Sequence, residues 1–185
     1  MGISFDIGLS AWIIQDGNYG EFEAGREYRF ALEFYPHDIS LDSSSAGAPQ
    51  LLSAGNCVYD AYAAIAFCSE SAWVVDFGVP AYQDAKPPAW ASTHARVRGH
   101  VYVGVDPFFY FESLRSIQGM PDLFRQWFIH RILLETTPWI ESVDSQGRKV
   151  ISRDAKRESF EEVPVTDAWK HDNGNGHYVL QCELR

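Results

Sequence analysis

Arg96-Val-Arg-Gly-His-Val-Tyr-Val-Gly-Val-Asp-Pro-Phe-Phe-Tyr-Phe111 is the stretch of sequence that decides the fold. Val97, Val101, Val103 and Val105 occupy odd positions, whereas the even positions from 96 to 102 are polar or amphipathic. This period of two predicts a half-buried strand, because successive side chains leave a strand on opposite faces. The glycines within it favour a bent strand, and the Asp-Pro pair should end it because proline cannot donate to a β-ladder.

The composition also favours β structure. The 185 residues include 12 Phe, 9 Tyr and 6 Trp, and aromatic side chains suit a pleated, half-buried surface. The length indicates a single domain over residues 1–185. The formal charge of -10 argues against sequence-independent binding to nucleic acid, because a phosphate backbone would be repelled. The same charge suits docking on a partner with a basic surface.

The cysteines and the apolar segments indicate a cellular compartment. Cys57, Cys68 and Cys182 are an odd, sparse set without CxxC spacing, unlike the dense disulfide framework of a small secreted protein. We find no basic-then-apolar leader and no apolar run near the ~18 residues of a membrane span. We therefore expect a reduced, soluble, cytoplasmic protein with no membrane partner, no nucleic-acid partner and no cofactor, and its oligomeric state stays open.

Alternating apolar residues predict further strands on both sides of the central one. Positions 3–9 alternate, and the phase then changes at Trp12 and Ile14, which predicts a β-bulge. A turn at 16–20 should connect this strand to one through Tyr28–Phe34, so that the two form a hairpin. The segments 57–67 and 122–136 also fit a helix, but their surroundings favour strands. The remaining strands are expected at 57–67, 73–79, 127–136, 165–170 and 178–184, the last two as a hairpin.

Long segments rich in Pro, Gly and Ser interrupt these strands. We expect long irregular loops at 36–56 and 80–94, the first of them mobile, and an exposed polar segment at 142–162. One short helix is expected near Phe109 to Gln118. Eight to ten short strands with one or two short helices predict a mainly β fold: a single antiparallel β-barrel that resembles the oligonucleotide/oligosaccharide-binding barrel or a similar closed barrel.

No common enzyme motif is present: there is no GxGxxG, P-loop, GxSxG or HExxH. The candidate catalytic residues are therefore scattered, and we select His100, Asp76 and Asp106. If they line one barrel mouth, they could act as general acid and base, with pKa values separated by unequal burial. In the structural alternative, Asp76 pairs with Arg96 or Arg98 on a neighbouring strand, and Asp106 caps the turn before Pro107.

Two histidines, His171 and His177, flank a turn at 172–176. In a tight hairpin they could share a metal ion, with Asp172 as a third ligand. A fourth ligand is not apparent, so the sequence predicts no metal site, and a solvated loop explains the same residues.

Aromatic residues in or next to the predicted loops are the candidate binding residues. Exposed aromatic side chains are typical of interfaces, although loops that fold back could bury them instead. These residues are Tyr19, Phe22, Tyr35, Tyr82, Trp90 and Trp139. Two functions follow as hypotheses. The first is a non-enzymatic interaction module that docks a basic protein partner, and the alternative is a small-molecule-binding β-barrel with hydrolase or isomerase activity in the His/Asp pocket.

Overall fold

The computed structural model describes residues 4–40, 50–89 and 94–185, and within these ranges the chain is mainly β. The strands are β1 (Ser4–Ser10), β2 (Glu27–Ser40), β3 (Gln50–Gly55), β4 (Val58–Cys68), β5 (Trp73–Asp76), β6 (Pro80–Gln83), β7 (His94–Gly104), β8 (Arg125–Glu135), β9 (Trp139–Val143), β10 (Lys149–Arg153), β11 (Phe160–Val163) and β12 (His177–Leu184). The helices are α1 (Ala11–Gln15) and α2 (Pro107–Glu112), with 3-10 turns at Leu114–Ser116 and His171–Gly174.

Ten of these strands form one large mixed sheet in the order β11-β8-β12-β1-β7-β2-β6-β5-β4-β3, and β9 and β10 form a separate pair. The predicted all-antiparallel arrangement is wrong, since β1–β7 and β2–β6 are parallel. Both parallel pairs join strands that are far apart in sequence, where a long connection removes the constraint that a hairpin imposes. β2 also pairs with β8, and β7 also pairs with β4. Each of these two additional pairings joins strands that are not neighbours in the order given above.

The alternation predicted for the central strand is confirmed in β7. Val97, Val101 and Val103 are buried, whereas Arg96 and Arg98 are exposed. The strands predicted from the alternation in 57–67, 73–79 and 127–136 are also present, as β4, β5 and β8. The predicted short helix corresponds to α2 and the 3-10 turn that follows it.

The predicted N-terminal hairpin is wrong, because β1 pairs with β12 in the register Phe5↔Cys182 and Leu9↔Tyr178. The predicted bulge at Trp12 is also wrong, since this residue lies in α1. Tertiary hydrogen bonds hold so short a helix: the Ala11 N–H donates to the Gly176 carbonyl at 2.8 Å, and the Gln15 amide donates to the Ala168 and Gly174 carbonyls. The predicted C-terminal hairpin is absent from the described sheet, because β12 pairs with β1 and β8.

Strands occupy parts of both predicted irregular loops and part of the predicted exposed segment. β2 continues through Pro36 to Ser40 with a register shift between Pro36 and Asp38, a place where a strand tolerates proline. β3 and β6 occupy the end of 36–56 and the start of 80–94, while 41–49 and 90–93 lie outside the described residues. The segment 142–162 is mostly exposed as expected, yet it includes β10.

The buried apolar side chains form a main core and a smaller second core. The main core contains the inward faces of β1, β2, β7, β8 and β12, with Trp127 stacked on Phe30 at a ring distance of 5.4 Å. The second core lies under α2 and is centred on Tyr110 and Leu123. No helix in the described ranges is long and apolar enough to cross a bilayer.

Candidate functional site

A cavity of about 300 Å³ opens at the surface where β1, α1, β2, β7 and β12 meet. Aromatic side chains supply most of its wall. Its lining residues are Ser10, Trp12, Ile13, Tyr35, Tyr102, Val103 and His177.

The Tyr102 ring forms one wall because glycine lies opposite it. Gly8 of β1 is the register partner of Tyr102, and a Cβ at Gly8 would lie 2.4 Å from Tyr102 Cε1. The Tyr35 ring meets the Tyr102 ring edge-on, with centroids 5.6 Å apart. Burial raises the pKa of Tyr102 to about 12 and also raises the pKa of Tyr35. Both phenols are therefore neutral at physiological pH.

Glu33 fixes the Tyr35 side of the cavity. The Tyr35 hydroxyl donates to one carboxylate oxygen of Glu33, and the other accepts from the Val105 N–H at 2.9 Å. Gly104 leaves the space for this carboxylate, since a Cβ at Gly104 would lie 2.3 Å from Glu33 Cγ. The Glu33 side chain thus connects the rim of the cavity to the end of β7.

His177 forms the opposite wall, beside Ser10. The two residues are register partners in the β1–β12 pair, so their side chains leave the sheet on the same face. His177 Nδ1 lies 3.1 Å from Glu135 Oε2, and its ring lies 5.6 Å from the Tyr102 ring. Desolvation lowers the pKa of His177, although Glu135 opposes this shift. The imidazole is therefore neutral at physiological pH.

A chain of charged groups extends behind Glu135. Arg153 Nε lies 3.9 Å from Glu135 Oε1, and Arg153 Nη2 donates to Asp172 Oδ2 at 2.5 Å. The Arg153 guanidinium also lies 4.0 Å from the centre of the Trp139 ring, whose indole N–H donates to Asp172. The side chains of Glu135, Arg153 and Asp172 are only 15–20% exposed, so mutual pairing offsets the cost of their partial burial.

The aromatic residues that were predicted to bind a partner lie in different environments. Tyr35 lines the cavity, and Trp139 lies in the chain of charged groups behind it. Tyr19 is half-buried, and its hydroxyl donates to the carbonyls of Gly104 and Val105. Phe22 is buried in the segment before β2, as the alternative of a loop that folds back predicts, whereas Tyr82 is buried as part of β6. Trp90 lies outside the described residues.

The three predicted catalytic residues make separate contacts. The His100 ring lies 4.5 Å from the His37 ring and 5.8 Å from the Tyr102 ring. Asp76 accepts from the Gly78 N–H at 2.8 Å, and Asp106 accepts from the first N–H groups of α2. In the described ranges, no hydrogen bond or ion pair joins any two of the three. Only His100 is next to the cavity, through its contact with Tyr102.

The structural roles predicted for Asp76 and Asp106 can be compared with the contacts that these two residues make. Asp106 does act as a cap, but its carboxylate caps the N-terminus of α2, which begins at Pro107, instead of a turn before this proline. The predicted pairing of Asp76 with a strand arginine is wrong: Arg96 instead binds Asp60 of β4 through two hydrogen bonds of 3.0 and 3.1 Å. Asp60 faces β7 directly, whereas Asp76 begins a tight turn.

The two histidines considered for a metal have different partners. His171 Nδ1 lies 3.0 Å from the Tyr178 hydroxyl, whereas His177 faces Glu135. Among the residues that the structure describes, no group of three His, Cys, Asp or Glu side chains could hold a metal ion. The cysteines offer no reactive thiolate in the core, since burial raises the pKa of Cys57 to about 12 and also raises the pKa of Cys182.

Sequence reasoning missed Ser10, Trp12, Tyr102 and Glu135 as cavity or supporting residues. The available signal was the pair of Gly8 and Tyr102, each on the polar face of its strand. That signal becomes useful only when the parallel pairing of β1 with β7 is known.

The chain significantly matches no protein-family model, no curated protein and no solved structure.

Proposed function

We propose that this protein is a non-enzymatic binding module that docks a protein partner with a basic surface, and that the cavity receives an apolar side chain of this partner. One observation carries the proposal. Trp12 and Tyr35, at the edge of the cavity, are 56% and 44% exposed. Exposed aromatic anchors around a concave site are typical of interface hot spots, and a volume of about 300 Å³ suits one side chain or small ligand.

Charge supports a basic partner. The formal net charge is -10, and carboxylates stand near the cavity: Glu33 binds the Tyr35 hydroxyl and Glu135 binds His177. Opposite charges across an interface increase the association rate and exclude partners of the same sign. A partner that brings lysine or arginine around an apolar anchor would match both features.

We further propose that part of the sheet closes into a barrel that supports the cavity. The pairings β2–β8, β8–β12, β12–β1, β1–β7 and β7–β2 form a complete ring of five strands, which supports this proposal. A closed ring has no free edge, so residues on its outer face would keep fixed positions relative to one another. Such rigidity favours a preformed binding site.

The test uses two short peptides and NMR. Titration with Lys-Trp-Lys should shift the amide signals of Ser10, Trp12 and His177, while Glu-Trp-Glu should bind more weakly and added salt should reduce the difference. Trp12→Ala should weaken Lys-Trp-Lys binding by about tenfold, as for an interface anchor. Phe108→Ala is the matched control, because Phe108 is 66% exposed but does not line the cavity. Equal binding of both peptides, or shifts only outside the cavity, would contradict the proposal.

A second candidate function, hydrolysis of a small molecule, is favoured by the His177–Glu135 pair beside Ser10. Ser10 is the N-cap residue of α1, but its side chain makes no capping hydrogen bond. A neutral imidazole held by a carboxylate could accept the proton of its hydroxyl. Hydrolysis of p-nitrophenyl acetate that is lost in His177→Phe and retained in Phe108→Ala would support an enzyme. Equal rates in all three proteins would exclude this role for His177.

A further inference from the structure

We propose that the cavity selects an aromatic ring with a hydrogen-bond donor on its edge, as in tryptophan or tyrosine, and that His177 Nε2 accepts this hydrogen bond. The inference rests on the proposed docking function and names the chemistry of the anchor. Three considerations support it: which nitrogen of His177 carries the proton, which residues form the walls around this histidine, and how much binding free energy is lost if the Nε2 acceptor has no partner.

Glu135 determines the tautomer of His177. A carboxylate only accepts hydrogen bonds, so the imidazole nitrogen that faces it carries the proton. The nitrogen that faces Glu135 is Nδ1, at 3.1 Å. The Glu135 side chain is only 15% exposed, and its other carboxylate oxygen, Oε1, lies 3.9 Å from Arg153 Nε. In a neutral imidazole the other nitrogen, Nε2, is then an acceptor.

The Nε2 acceptor is available to a ligand. In the part of the chain that the structure describes, no protein group donates a hydrogen bond to Nε2, and His177 lines the cavity. The side chain is 30% exposed, so water supplies its partner when the cavity is free. A ligand that displaces this water without a donor would leave the acceptor buried and unpaired, which reduces affinity.

The walls favour a planar group over a branched aliphatic one. The Tyr35 and Tyr102 rings meet edge-on, and Tyr102 lies 5.6 Å from the His177 ring. Aromatic rings prefer such offset and edge contacts with one another. A ring bound against Tyr102 therefore has its edge beside His177, where a donor on that edge reaches Nε2. Phenylalanine and leucine fit the apolar walls but lack this donor.

The experiment compares indole with benzothiophene, which has nearly the same shape but no N–H group. NMR titrations of the full chain should give indole at least fivefold tighter binding, the ratio expected from one net hydrogen bond. In His177→Phe, which keeps an aromatic ring without an acceptor, the two compounds should bind equally. The ¹⁵N signal of His177 Nε2 in the wild-type protein should also shift when indole is added, which provides a readout that needs no variant.

Each outcome separates the two proposals. Equal affinities in the wild-type protein, an unchanged Nε2 signal, or a preference for indole that persists in His177→Phe would overturn the inference about His177. The docking proposal would survive those results, because both compounds would still occupy the cavity. If neither compound shifts the cavity amides while the protein is folded, the cavity takes no aromatic anchor and the docking proposal fails as well.

Discussion

The outer face of β7 is divided into two halves of opposite character. Around Arg96 and Arg98 it is ionic, with Arg96 paired to Asp60 and a polar cavity of about 240 Å³ beside them. Around His100 and Tyr102 it is aromatic, and it borders the cavity of about 300 Å³ that we assign to binding. Both halves belong to one strand and follow the same alternation.

The difference between the halves comes from the strand next to β7. Beside the ionic half lies β4, whose residue opposite Arg98 is Asp60, whereas the residue opposite Tyr102 is Gly8 of β1. In the first half the Asp60 carboxylate pairs with Arg96 and gives the cavity there a polar wall. In the second half the missing side chain of Gly8 leaves space for the Tyr102 ring. A strand's own sequence therefore sets which residues face outward, but its neighbour sets whether the cavity beside them is polar or aromatic.

The largest effect is expected at Gly99, which separates the two halves. A Cβ there would lie 2.2 Å from the Tyr35 carbonyl oxygen and 2.7 Å from Pro36 Cα, both backbone atoms that cannot rotate away. Gly99→Ala should reduce the free energy of unfolding by on the order of 3 kcal/mol, measured by urea denaturation. Gly20→Ala is the control, because nothing lies within 4 Å of the corresponding Cβ. Equal midpoints for the two variants would show that the strands separate easily at Gly99.

A smaller effect is expected at Gly8, where the added Cβ meets a side chain instead of backbone. Gly8→Ala places this atom 2.4 Å from the Tyr102 ring, so the ring must move and the cavity must change shape. We expect a loss of about 1 to 2 kcal/mol together with weaker binding of Lys-Trp-Lys. In a Tyr102→Ala background the stability cost should fall below about 0.5 kcal/mol, because the clash is absent. A cost that stays the same in both backgrounds would contradict the proposed fit between Gly8 and Tyr102.

The smallest effect on stability is expected from a change of pH. The pH range in which stability is lost should differ between the aromatic and the ionic half of β7. Desolvation lowers the pKa of both His100 and His177 in the folded protein. As the pH falls through about 6.5, the unfolded chain therefore binds protons first and stability decreases. In the ionic half, the hydrogen bonds from Arg96 lower the pKa of Asp60. The stabilisation that Asp60 contributes is complete above about pH 3.9, the pKa of an aspartate in the unfolded chain. It is lost as the pH falls through the lower pKa that Asp60 has in the folded protein.

Urea denaturation between pH 7.5 and pH 3 can separate these contributions. His177→Gln should reduce the loss of stability between pH 7.5 and 5.5, while Asp60→Asn should change the profile only below about pH 4.5. The result that would contradict the assignment is a His177→Gln profile that parallels the wild-type profile throughout the upper range.

The sequence was informative where structure depends on neighbours along the chain. The alternation of β7 follows from the period of its own side chains, and the Asp106 cap follows from an aspartate directly before a proline. Sequence patterns could not place β1 beside β12, because Ser10 and His177 are 167 positions apart and many strands present similar apolar faces. They also could not predict α1, whose five residues are held by contacts with residues 168–176.

The candidate site was harder to predict than the fold for the same reason. Its residues come from four separated segments, and each has an ordinary local explanation. His177 attracted attention only as half of a metal pair, since its true partner, Glu135, lies on a strand that is not adjacent in sequence. Tyr35 was selected because of its position near a predicted loop, although it belongs to the continuous strand β2.

The pairing of β1 with β12 also has a consequence for biosynthesis. Ribosomes add roughly 5 to 20 residues per second, so His177 follows its register partner Ser10 by roughly 10 to 30 s. During this interval the apolar face of β1, with Phe5, Ile7 and Leu9, lacks its partner strand on one side. A nascent chain in this state presents an open strand edge. Its yield in cells should therefore depend on chaperones that bind β1 before β12 has been synthesised.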